Sequence, residues 1–325
     1  MKTINILKGT LAAISALIIG TSSLEAQVSR ALEVLQTNPD SRTSALGDAL
    51  NARQDRMSLF TSPLALMPKE GSFGLDASTL IYPKVESLSG RVMQYNVAAG
   101  YKFLGRHALS LGFRYQGTPE IESFDIKDGT LPGQGYKVKP FEWVIDLAYG
   151  FQISRDFSAS VSGNLIASWI GMGSYTGGAS VAAFYNHTFE KSGVIAAALK
   201  FNNLGAPLYY GTNYGVAQPA NFQASVEYGF DFYTYNHLNL IAGVQDYFLP
   251  ADANLFLLGV GAEYDFRDIA FLRLGYRYGQ NNMSLFTAGL GVKLFHNYSL
   301  DAAYRHGLDK EFGMDVWTVG LTALF

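Results

Sequence analysis

The chain has 325 residues, of which 34 are glycine, 22 phenylalanine and 20 tyrosine, and it contains no cysteine. Disulfides and thiolate metal sites are therefore excluded. With 24 basic against 27 acidic side chains and no basic run, nucleic acid is not an expected partner.

In chain order, residues 1–26 read as a secretory signal. Lys2 and Lys8 supply positive charge, Leu11 to Gly20 form an apolar run too short to span a bilayer, and cleavage is expected before Gln27. No later stretch has the roughly 20 consecutive apolar residues of a transmembrane helix. Residues 27–70 are the most densely charged part, with Arg42, Asp48, Arg53, Asp55 and Arg56. Ala31, Leu32, Val34 and Leu35 allow one or two helical turns. The run Asn38-Pro39-Asp40 interrupts them, and Ser41 is positioned to cap a second short helix ending before Gly47. This segment is too polar to face lipid, and the expectation is a small plug folded into a barrel mouth.

From Gly71 onward apolar and polar residues alternate with period two in about fourteen segments, an even number suited to a bacterial outer-membrane barrel. The clearest runs over residues 156–169. Phe157, Ala159, Val161, Leu165, Ala167 and Trp169 share one face, Ser158, Ser160, Ser162, Asn164 and Ser168 the other, and Ile166 breaks the pattern. The last stretch places Trp317, Val319, Leu321, Ala323 and Phe325 on one face, as a closing strand that pairs with the first needs. Connections alternate short and long. The two longest, residues 118–139 and 203–219, both fall where a barrel of this kind has extracellular loops. The expected fold is all-β: a transmembrane antiparallel barrel over residues 71–325 with a short, partly helical plug.

Parity points Glu263, Arg273, Arg277, Lys293, Asp301 and Arg305 into the lumen on four successive strands, together with Arg114, Asp146, Lys200 and Glu227. A Lys or Arg facing lipid at mid-membrane costs about 2–4 kcal/mol. Two readings of these charges stand: mutual pairing with the plug, or a path for substrate or ions. Tyr209, Tyr210 and Tyr214, in the second long loop, are either a recognition surface or part of an upper aromatic belt. The five histidines, His107, His187, His237, His296 and His306, are scattered over turns and strand ends without a metal-binding spacing. No GxSxG elbow is present, so no catalytic, metal or cofactor residues are assigned.

Several short motifs, in order, resemble those of the PorV/PorQ group of outer-membrane proteins of Bacteroidetes, itself similar to the FadL long-chain fatty-acid channels. Asn38-Pro39-Asp40-Ser41-Arg42 and Ala45-Leu46-Gly47-Asp48-Ala49 look like the group's N-terminal segment, and the first is closer to PorV than to PorQ. Ser62-Pro63-Leu64-Ala65-Leu66 stands at its "NPA.L" motif, with serine in place of asparagine. Asn203-Leu204-Gly205, Gly261-Ala262-Glu263-Tyr264, Leu272-Arg273-Leu274-Gly275-Tyr276 and Leu300-Asp301-Ala302-Ala303-Tyr304 continue the series. The resemblance implies a FadL-like fourteen-stranded barrel with an N-terminal hatch. It also implies a non-enzymatic role in type IX secretion: collecting cargo that bears C-terminal signal domains and passing it to other components at the cell surface. The alternative is a FadL-like channel for hydrophobic small molecules. Either role implies outer-membrane lipid around the barrel and the barrel-assembly machinery as a partner, which Trp317 and Phe325 near the carboxyl end suit.

Overall fold

In the computed structural model the described residues are 32–84, 90–123, 136–189, 193–211, 215–233, 235–251, 254–295, 297–308 and 315–325. The expected signal segment, Tyr214 and His296 lie outside them. Fourteen strands close into one antiparallel barrel: β1 (Phe73–Lys84), β2 (Arg91–Phe103), β3 (His107–Gly117), β4 (Phe141–Gln152), β5 (Phe157–Trp169), β6 (Gly173–Phe189), β7 (Gly193–Gly205), β8 (Asn221–Tyr233), β9 (Asn236–Tyr247), β10 (Leu255–Phe266), β11 (Ala270–Gly279), β12 (Leu285–Leu294), β13 (Tyr298–Gly307) and β14 (Val316–Leu324). Each strand pairs with its sequence neighbours, and β14 pairs with β1 from Gly74↔Leu324 to Ile81↔Trp317. Closure leaves no strand edge unpaired, so every ladder hydrogen bond is made inside the wall.

The exposure pattern follows the sequence alternation. On β14, Trp317, Val319 and Leu321 are exposed while Thr318 is buried inward. The outer face carries Leu111, Leu147, Leu274 and Leu290, each more than half exposed. Apolar surface of this kind costs about 25 cal/mol per Å² in water, which makes hydrocarbon its natural surroundings. Aromatic side chains gather at both rims. At the rim of tight turns, Phe157 meets Tyr185 at 4.9 Å and Phe73 meets Phe325 at 6.2 Å between ring centroids. At the rim of long loops, Tyr304 meets Trp317 at 4.6 Å. Two such girdles are what the interfaces of a bilayer-spanning barrel carry.

The N-terminal segment descends through the lumen as a plug. Helix α1 (Glu33–Gln36) lies at the long-loop rim and α2 (Ser41–Ser44) against β12–β14; two short 3-10 turns, Gln54–Arg56 and Pro63–Leu66, follow. The cap of α2 is Asp40 rather than Ser41: its carboxylate accepts from the Arg42 backbone N–H at 3.1 Å and from the Thr43 hydroxyl at 2.9 Å. Aspartate is as good a cap as serine, and it stands one residue earlier.

The plug rests directly on the wall where side chains are missing. Gly47 adopts φ 71°, and a β-carbon there would stand 2.6 Å from the Tyr276 carbonyl oxygen. A β-carbon on Gly261 of β10 would stand 2.8 Å from the Leu46 α-carbon. Both positions need glycine for backbone to lie on backbone.

Candidate functional site

The plug and the charges that face it occupy much of the lumen. Arg42, buried on α2, is the centre of one group. Its Nη2 donates to Glu227 at 2.8 Å and its Nε to Glu263 at 2.9 Å. Arg273 donates to the same Glu263 carboxylate at 2.6 Å and to Asp301 at 2.5 Å. Burial favours the uncharged guanidine, but Glu263 and Glu227 outweigh it and hold Arg42 well above its ordinary pKa. For Asp40 the balance is reversed: burial raises its pKa against the pull of Arg42.

Two further groups lie apart from the first. Asp48 of the plug accepts from Arg277 at 2.8 Å and from Arg305 at 3.3 Å. Lys293 pairs with Asp268 at 2.5 Å at the tight-turn rim. The six lumen charges expected as one cluster therefore divide into three. The reason is strand rise: Arg273 and Arg277 are four residues apart on β11, about 13 Å along the strand, so they meet different layers of the plug. Arg56 pairs with Asp265 at 2.5 Å, and Glu142 accepts the backbone N–H groups of Leu32 and Val34 at 3.0 and 3.2 Å. Sequence reasoning did not single out Asp265 or Glu142, although Asp265 shares the inward parity of Glu263.

At the long-loop rim the segment between β7 and β8 folds inward. Leu208 is buried with Leu32, Val34 and Leu35 of the plug, Val144 of β4 and Ile166 of β5. This explains why Ile166 breaks the alternation of its strand: it faces the lumen because it covers α1. Tyr210 packs against the same cluster, whereas Tyr209 is 52% exposed. The two tyrosines thus do not form one outward surface. Gln218 is buried at the β6–β7 junction, where its amide donates to the carbonyls of Gly177 and Ala206, each at 2.9 Å.

Between the plug and the inner faces of β3 to β8 is a cavity of about 170 Å³. Its wall is mainly polar, with Arg114, Asp146, Ser162, Asn164 and Lys200 among the lining residues. A second cavity of about 260 Å³ lies toward the tight-turn rim, between the plug and β11 to β14, and includes Asp76 and Tyr298. The described histidines pair at strand ends: His107 with Tyr149 at 2.6 Å, His187 with Asp156 and His306 with Asp315 each at 2.9 Å, and His237 with Asp231. Among the described residues no three His, Cys, Asp or Glu side chains group as metal ligands.

The fold has close counterparts among solved structures. The Pseudomonas putida toluene transporter TodX superposes with a TM-score of 0.55 at 10% identity, over 87% of this chain and 96% of that one. The monoaromatic hydrocarbon channel CymD superposes with a TM-score of 0.58 at 12% identity, over 88% of this chain and 97% of that one. No protein-family model and no curated protein matches the chain. The likeness therefore carries the barrel half of the sequence resemblance and leaves the secretion half, including membership of the PorV/PorQ group, without support. The chain is a closed fourteen-stranded antiparallel barrel with the fold of TodX and CymD.

Proposed function

We propose that the protein is a plugged outer-membrane channel that admits small molecules, not an enzyme. This was the alternative reading of the sequence, where its passengers were expected to be hydrophobic, as the names of TodX and CymD describe theirs. The observation that carries it is the combination of a closed, lipid-facing barrel with a plug that leaves a cavity beside it rather than filling the lumen. The likeness of the fold to TodX and CymD, named as a transporter and a channel, supports it. Cargo delivery in type IX secretion stands second, because it rests on short sequence motifs alone.

The test is reconstitution of the full chain in liposomes, with entry of small solutes followed against protein-free vesicles. Entry of toluene, or of a small polar solute, above the protein-free rate is expected. Equal rates with and without protein for every solute would end the channel reading. A matching defect in cell-surface delivery of signal-bearing cargo, seen on gene deletion, would restore the secretion reading.

A further inference from the structure

The cavity beside the plug has a charge balance that distinguishes it from a hydrocarbon passage. Arg114 gives its Nε and Nη2 to Asp146, each at 2.9 Å, and its Nη1 to the Val34 carbonyl at 3.3 Å. That pair is internally neutral. Asp48 is already shared between Arg277 and Arg305. Lys200 is different. Its ammonium makes one hydrogen bond, 3.3 Å to the Thr61 carbonyl of the plug, and among the described residues no carboxylate lies within ion-pair distance. An ammonium has three donors, so its capacity is largely unspent. A charge withdrawn from bulk water needs a partner, and an anion in the cavity supplies one.

The neutral part of the wall points the same way. Ser162, Asn164, Asn202 and Gln223 line the cavity with hydroxyl and amide groups that both donate and accept. Asn202 already donates to Asn221 at 3.1 Å, but a hydrocarbon in this space would desolvate Ser162 and Gln223 and pair neither. At about 30 Å³ per water, a cavity of about 170 Å³ holds roughly six waters, or one molecule the size of a six-carbon sugar acid.

We propose that this cavity binds a small hydroxylated organic anion, with Lys200 pairing its carboxylate and the serine and amide side chains meeting its hydroxyls. The inference rests on the channel reading and names the class of its passenger. The anion displaces water from the ammonium and completes the hydrogen bonding of the β3–β8 wall, so recognition occurs beside the plug while the plug stays seated.

The test is calorimetric titration of the purified full chain with gluconate, glucose and glucosamine, which share a skeleton and differ in charge, and with toluene. Gluconate is expected to bind at least tenfold more tightly than glucose, and glucosamine most weakly. Lys200→Met is expected to lose at least tenfold in gluconate affinity while leaving glucose unchanged. A flat order, a preference for glucosamine, undiminished gluconate binding by the variant, or no gluconate binding at all would overturn the proposal. Should the variant fail to assemble, the order of the three sugars on the wild-type protein decides alone. Toluene entry into proteoliposomes without gluconate binding would sink the anion and keep the channel. Gluconate binding without entry of any solute would do the reverse.

Discussion

At the scale of single residues, Arg42 matters most to how the plug is held. Among the described residues it is the one plug cation whose side chain bonds both Glu227 and Glu263, two carboxylates that the wall buries completely. Removing one member of a buried charge group leaves its partners uncompensated and costs about 3–5 kcal/mol. Arg42→Met is therefore expected to loosen the plug, seen as faster protease cleavage within residues 40–60 while the barrel keeps its heat-modifiable migration. Cleavage at the wild-type rate would show that apolar contacts alone seat the plug. Adding Glu227→Gln and Glu263→Gln to Arg42→Met is expected to recover part of the loss, because the penalty comes from the orphaned charges rather than from the missing pair. The inward direction of Glu227, Glu263, Arg273 and Asp301 follows from strand parity. Their partner does not. Arg42 and Glu263 are 221 positions apart, and no periodic signal links a plug residue to a strand.

At the scale of elements, strands were legible because every one carries a lipid face and a lumen face, and a period of two reports that difference directly. The ends were less legible. Strand β6 begins at Gly173, six residues before the clear alternation at Ala179, because Gly177 and Gly178 lack side chains to report a face. Ile166 shows the opposite case, an apolar residue on the lumen side whose purpose appears only once α1 and Leu208 lie against it. That cluster joins plug, wall and loop at the long-loop rim. Ile166→Ala is expected to cost about 2–4 kcal/mol of packing there. The consequence is earlier release of α1, read as increased labelling of a cysteine placed at Leu35 in the otherwise cysteine-free chain. Unchanged labelling would mean that the Glu142 hydrogen bonds to Leu32 and Val34 hold the rim without the cluster.

At the scale of the whole molecule, closure depends on one seam. Strand β14 completes the ladder with β1, and beyond it the backbone of Phe325 donates to Phe73 at 2.8 Å and accepts from it at 3.0 Å. Without β14 both β1 and β13 become open edges in hydrocarbon, which membrane strands do not tolerate. Deleting residues 317–325 is expected to abolish assembly into the outer membrane rather than to reduce transport. A heat-modifiable barrel from the truncated chain, recovered in the membrane fraction, would refute the seam. Sequence alone placed this strand last and gave it a lipid face, and it suggested the channel as an alternative. It did not show where the lumen stays open, because that depends on where the plug's backbone comes to rest.

That resting place has a mechanical consequence. Gly47 and Gly261 let the plug lie on β10 and β11 with no side chain between, and the Arg42 and Asp48 pairs fasten it to that same half of the wall. The plug is thus moored along part of the wall, like a boat tied along one quay, with one cavity on the far side and another below the mooring toward the tight-turn rim. A passenger need not push the plug out of the barrel along its axis. On the channel reading proposed above, it would enter the space between the plug and β3 to β8, where the polar cavity already lies.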